Sequence, residues 1–109
     1  MSRTFKFAIL SPGGKAFEGD AESVKATGAL GGFGVLAGHA PMIAAVVPGV
    51  CAVRTLDQGE KYFFAGEGVL EVSRSGVVML VDEAFAVDNP IEARQRASER
   101  LRLEQRPSA

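Results

Sequence analysis

Apolar and polar residues alternate from the start of the chain. Phe5, Phe7 and Ile9 fall on one side and Lys6 on the other, which predicts a half-buried strand over residues 3–10. Ser11-Pro12-Gly13-Gly14 reads as a turn. Residues 15–19 and 22–27 read as two further short strands, followed by a glycine-rich loop from Gly28 to Gly34. Val35-Leu36 is extended, and Gly38-His39-Ala40-Pro41 turns the chain. Residues 42–47 form a continuous apolar strand closed by Pro48-Gly49. Residues 50–56 and 60–65 flank Asp57-Gln58-Gly59, a hairpin loop. Leu70 and Val72 share one face of the next strand, over 69–72. Arg74-Ser75-Gly76 turns into Val77-Val78-Met79-Leu80-Val81, which is apolar on both faces and predicts a strand inside a sandwich. From Pro48 onward, turn signals recur about every 8–10 residues, the spacing of an antiparallel sandwich or barrel.

The pattern changes at Asp88. Asn89 suits an N-cap, Pro90 the first helical position, and Glu92 stands three residues after the cap. One helix of about 16 residues is predicted from Pro90 to Gln105, ended by Pro107. Ile91, Ala97 and Leu101 give it a thin apolar stripe, and Glu92–Arg96 and Arg100–Glu104 are opposite charges at i,i+4. A helix this short and weakly amphipathic docks loosely or frays. The organisation expected is a β-domain over residues 1–88 and a helical segment over 89–109.

Composition narrows the function. At 109 residues and 47 % apolar, the chain suits one small domain with a real core. Residues 1–88 carry 7 Lys/Arg against 10 Asp/Glu, and residues 89–109 carry 5 Arg against 3 Glu. Neither part has the basic excess of a phosphate-backbone binder, and Trp is absent, so nucleic acid is not expected as a partner. Cys51 is alone, so no internal disulfide is possible, and a reducing compartment is expected. The opening residues do not read as a signal peptide. Residues 33–53 are long enough to cross a membrane, but Gly38, Pro41, Pro48 and Gly49 interrupt them, so buried strands and turns are expected instead.

No catalytic chemistry assembles. Gly32-Phe33-Gly34-Val35-Leu36-Ala37 fits the dinucleotide fingerprint in letters, but Gly38 and Pro41 forbid the helix that pattern needs. His39 is the only histidine and has only Cys51 as a possible soft co-ligand, so no metal site is expected. Cys51 lies within a buried strand and reads as a small hydrophobe. Glu67 and Glu71 sit near turns without an acid–base partner. The expectation is a binding or structural module with no catalytic residues, no metal and no cofactor.

Three segments resemble one family. Phe33-Gly34-Val35-Leu36-Ala37-Gly38-His39-Ala40-Pro41 is similar to the motif F-G-V-L-P-G-H-A-P of ATP synthase epsilon subunits. Val69-Leu70-Glu71-Val72 is similar to that family's G-G-x-L-E-V. The opening strand, Ser11-Pro12-Gly13-Gly14 and Phe17-Glu18-Gly19 match in order and spacing, so the resemblance spans residues 5 to about 94.

The resemblance implies an antiparallel β-sandwich of about ten short strands followed by a helical hairpin. Here it leaves one C-terminal α-helix, a form with a shortened helical region. It implies a non-catalytic rotor role: a central-stalk subunit that binds the gamma shaft and the membrane c-ring and couples ion-driven rotation to ATP synthesis. The other implied partner is the alpha/beta catalytic head. The implied location is peripheral, on the cytoplasmic face of the bacterial inner membrane. The gamma contact implied is Ser11, His39, Met42 and Ala44; the c-ring contact implied is Gly28, Leu30, Gly31, Gly32 and Phe33.

This chain departs from the family at several positions. Leu30 and Gly32 stand where an acid is common, so the ring contact becomes more apolar. Ala37 replaces a Pro and Glu67 a Gly. Of the D-x-x-R-A helix pattern associated with ATP in some members, only Arg94 remains, with Ile91 and Gln95 at the flanking positions. The rival reading is a stand-alone β-sandwich ligand- or protein-binding module.

Overall fold

The computed structural model describes residues 3–104. Nine strands precede one helix: β1 (Phe5–Ser11), β2 (Gly14–Gly28), β3 (Gly31–Leu36), β4 (Met42–Val46), β5 (Gly49–Thr55), β6 (Glu60–Ala65), β7 (Gly68–Ser73), β8 (Gly76–Val81), β9 (Ala84–Val87) and α1 (Pro90–Glu104). Two layers face each other. One is β4-β7-β8-β1 and the first half of β2; the other is β3, the second half of β2, β5, β6 and β9. All pairings are antiparallel except β1 with β8, which run parallel from Phe7–Val77 to Leu10–Leu80.

β2 belongs to both layers. The sequence pattern predicts two strands here, and the structure makes one of 15 residues. Two bulges bend it. Ala16 is the extra residue opposite Ile9 and Leu10, and Glu22 the extra residue opposite Arg54 and Thr55. A bulge increases local twist, which carries one strand from one sheet into the next. At its far end Gly28 pairs with Val46 of β4, so the layers also join there.

Between the layers lies the core. Phe7, Ile9, Leu70 and Met79 meet Val24, Cys51, Val53 and Phe63, all nearly or fully buried. Phe17 bridges them, its ring 5.9 Å from Phe7 and 5.8 Å from Phe63. Each such side chain contributes about 1.5–3 kcal/mol of burial. Cys51 is among them; burial pushes its thiol up to about 12, so it is no nucleophile.

The structure corrects two readings of the apolar pattern. β8 is not buried on both faces: Val77, Met79 and Val81 point inward, while Leu80 remains 49 % exposed and Val78 half-buried. Residues 31–34 are not loop but the start of β3, so the glycine-rich segment tightens to a two-residue turn, Ala29-Leu30. β9 has no counterpart in the sequence reading.

α1 packs on the outer face of the second layer. Asn89 caps it, its Oδ1 accepting from Glu92 N at 3.0 Å. Ala93 is fully buried, whereas Ile91 and Leu101 are more than half exposed. Of the expected Ile91–Ala97–Leu101 stripe only Ala97 faces the sheet, and the docking face is Ala93 with Arg96, Ala97 and Arg100. Under it lies Phe64, fully buried on the face of β6 opposite Phe63 and stacked on Phe85 at 5.2 Å. Gln105 and Pro107 lie outside the described residues.

Candidate functional site

Arg96 reaches back to the sandwich instead of pairing with Glu92. Its guanidinium sits 5.7 Å from the Phe64 ring centroid and donates to Glu83 at 3.2 Å. Arg100 grips Asp82 with both Nη atoms and donates from Nε to Glu104 at 3.1 Å. The Arg100 guanidinium holds the Asp82 carboxyl below the usual carboxylate range. Asp82 is held in turn by Glu67 N, which donates to its Oδ1 at 3.0 Å. This network fastens the helix to the sandwich.

The five residues of the implied ring contact divide. Leu30 is fully exposed at the tip of the β2–β3 turn. Gly28 and Gly31 pair beneath it, and Gly31 has φ +121°, a region that favours glycine. Gly31 and Gly32 are exposed, whereas Gly28 is buried and Phe33 lies half-buried against the core. A Cβ on Gly28 would stand 3.1 Å from the Phe33 ring, which explains the small residue there. The surface presented is thus Ala29-Leu30-Gly31-Gly32, apolar and uncharged.

The four residues of the implied shaft contact do not form one cluster. Ser11 closes the β1–β2 turn, its Oγ 3.4 Å from the Gly14 carbonyl. His39 is exposed beyond the other end of the same layer, its Nδ1 2.8 Å from the Ala40 carbonyl. Met42 aligns with Val72, Val77 and Phe7, four residues from Ser11 along β1, or about 13 Å. Met42 and Ala44 are half-buried on the inward side of β4, with Met42 against the core.

What lies between Ser11 and His39 is the outward face of β4-β7-β8-β1. Register places Ala45, Val69, Leu80 and Leu10 in one row, and Ile43, Glu71, Val78 and Ala8 in the next. Ile43 is 71 % exposed. Seven of these eight residues are apolar, on a sheet face that carries no helix. A contiguous exposed apolar face of this kind marks an interaction surface. The sequence reading missed Ile43 and Leu80 because β4 and β8 are apolar on both faces, which hides the outward set.

Among the described residues, no group of three His, Cys, Asp or Glu side chains is placed to hold a metal. No described helix is long and apolar enough to cross a membrane.

Residues 4–87 match the family described as "ATP synthase, Delta/Epsilon chain, beta-sandwich domain". A protein of Rhodopseudomonas palustris (strain BisB5) named "ATP synthase epsilon chain" is 44 % identical over 84 residues, covering 77 % of this chain and 62 % of its own length. "ATP synthase epsilon chain 1" of Nitrobacter hamburgensis is 42 % identical over the same shares. The chain thus spans 62 % of the length of these curated relatives. Among solved structures, a chain of the Euglena gracilis mitochondrial ATP synthase (OSCP/F1/c-ring) superposes with TM-score 0.73 at 20 % identity, over 96 % of this chain and 68 % of its own. A chain of the Tetrahymena thermophila mitochondrial ATP synthase central stalk/c-ring gives TM-score 0.63 at 11 % identity, over 77 % of this chain and 67 % of its own. At these identities the structures establish the shared fold. With the family match spanning most of the sequence and the β-sandwich in place, the chain belongs to the ATP synthase delta/epsilon family.

Proposed function

We propose that this chain is a non-catalytic rotor subunit of an F-type ATP synthase. It docks on the gamma shaft, stands on the c-ring and passes ion-driven rotation toward the alpha/beta head. It works at the cytoplasmic face of the bacterial inner membrane and is held there only through the complex. The observation that carries this reading is the uncovered apolar face of β4-β7-β8-β1. A body that transmits torque needs a broad, stiff docking surface and no reactive groups, and a double-layered sheet with one outer face left bare supplies that. The names of the relatives support the same assignment.

Gamma is assigned to the outward rows, with Ser11 and His39 at the two margins. Met42 and Ala44 act from beneath by holding β4 in place. The exposed Leu30 turn is assigned to the ring, as an apolar contact that salt screens little.

Ile43→Asp is the direct test, because Ile43 is outside the core. It should leave the melting transition nearly unchanged and weaken gamma binding by about 1–3 kcal/mol. Wild-type affinity in a folded Ile43→Asp protein would remove gamma from this face. Failure of the wild-type chain to co-purify with gamma would favour the stand-alone binding module.

A further inference from the structure

A concavity at the His39 margin of the same face gathers positive charge. It is lined by Lys6, His39 and Arg74, with Ser73 and Ser75 between them. The one carboxylate on its wall, Asp20, pairs with Lys6 at 3.3 Å, so Arg74 is the uncompensated cation of the lining. The serine hydroxyls are committed locally, Ser73 Oγ lying 3.0 Å from Ser75 Oγ and donating to the Gly76 carbonyl at 3.2 Å. Arg3 adds a guanidinium beside the concavity, lying over Gly38, where a Cβ would stand 3.4 Å from its Nη2. Neither Arg3 nor Arg74 has a carboxylate within 4 Å among the described residues. The chain as a whole carries a net charge of −1, so this excess is local.

Position ties the concavity to the apolar rows. Lys6 points outward from β1 on the same side as Ala8 and Leu10. Arg74 lies two residues beyond Val72, the partner of Met42, whose neighbour Ile43 is in the outward row. An apolar centre bounded by a charged rim is the anatomy of a protein interface.

We infer that this margin reads carboxylates: Arg3 and Arg74, with Lys6 and the His39 imidazole beside them, receive acidic side chains of the protein that covers the apolar rows. The inference rests on the docking reading above and adds the chemistry its partner presents. Protein carboxylates are favoured over a free anion because the charged margin runs directly into an apolar surface that a small anion would not cover. Rim charges of this sort act mainly on encounter, accelerating association and fixing register.

The test uses the full chain and purified gamma, comparing association rates at low and high salt. The double variant Arg3→Ala/Arg74→Ala should associate about tenfold more slowly at low salt, with a flattened salt dependence. Arg74→Lys, which keeps the charge, should retain most of the wild-type rate. Ile43→Asp should weaken binding at every salt concentration. If the double variant associates at the wild-type rate and salt dependence while Ile43→Asp fails to bind, the carboxylate margin is wrong and the docking face stands. If both bind as wild type, the docking face falls as well. Inorganic phosphate binding that the double variant abolishes, with gamma association unchanged, would assign the margin to a free anion and overturn the proposal.

Discussion

Glycines in this chain serve contact as much as conformation. Gly68 has an ordinary φ, yet a Cβ there would run into the Leu80 carbonyl across the β7–β8 ladder. Gly66 leaves the space in which Asp82 and Arg100 meet. Gly68→Ala is expected to cost about 2–3 kcal/mol, because the obstacle is backbone and cannot step aside. Gly19→Ala is its control: the new methyl would lie 3.4 Å from the edge of Phe17, and a change within about 1 kcal/mol is expected. Thermal melts of the two variants compare them directly, and equal losses would show that the close approach at Gly68 is not the cause. In the sequence, Gly66-Glu67-Gly68 reads only as turn punctuation. The reason for these glycines is held by residues 80–82 and 100, which no local pattern announces.

At the scale of elements, α1 is fixed by charge over a small aromatic platform. Asp82 is held below its usual range by Arg100, so its contribution to docking is complete above the ordinary carboxylate value of about 4. That contribution is lost as pH falls through the depressed value of the folded protein. Between pH 8 and 5 the docking should therefore not change with pH. Asp82→Asn should loosen α1 at neutral pH, seen as faster amide exchange in residues 93–104, while the β-sandwich stays protected. Protection factors of the wild-type helix, corrected for the intrinsic exchange rate, that fall steadily from pH 8 to 5 would contradict this assignment.

The helix start was legible from Asn89 and Pro90, since a cap is a local signal. Its buried face was not, because Ala93 and two arginine stems carry little hydrophobicity and Phe64, which they cover, is 29 residues before Ala93 in sequence. β9 escaped for a related reason. Four residues, Ala84 to Val87, pair only with β6 and have no turn signal before them strong enough to mark a strand.

For the whole molecule, the two layers share a core that α1 does not enter. The helix sits on Phe64, which faces away from the residues between the layers. Deleting residues 90–109 should leave the sandwich folded, uncover Phe64 and Phe85, and lower stability by no more than about 3 kcal/mol. Gamma binding should persist, since the outward rows lie on the opposite layer. A deletion variant that fails to fold would make α1 part of the core. The sandwich class was readable from alternation and turn spacing, but the crossing of β2 between layers was not, because it depends on bulges that pairing partners induce.

The parallel pair of β1 and β8 has a consequence for biosynthesis. Phe7 acquires its neighbour Val77 only after some 70 further residues have been made. At roughly 5–20 residues per second, that is about 4–14 s on the ribosome. Throughout that interval the first hairpin offers Phe7, Ile9 and Phe17 to whatever is nearby. The first layer can close only once β8 has been made, so the sandwich completes late in synthesis.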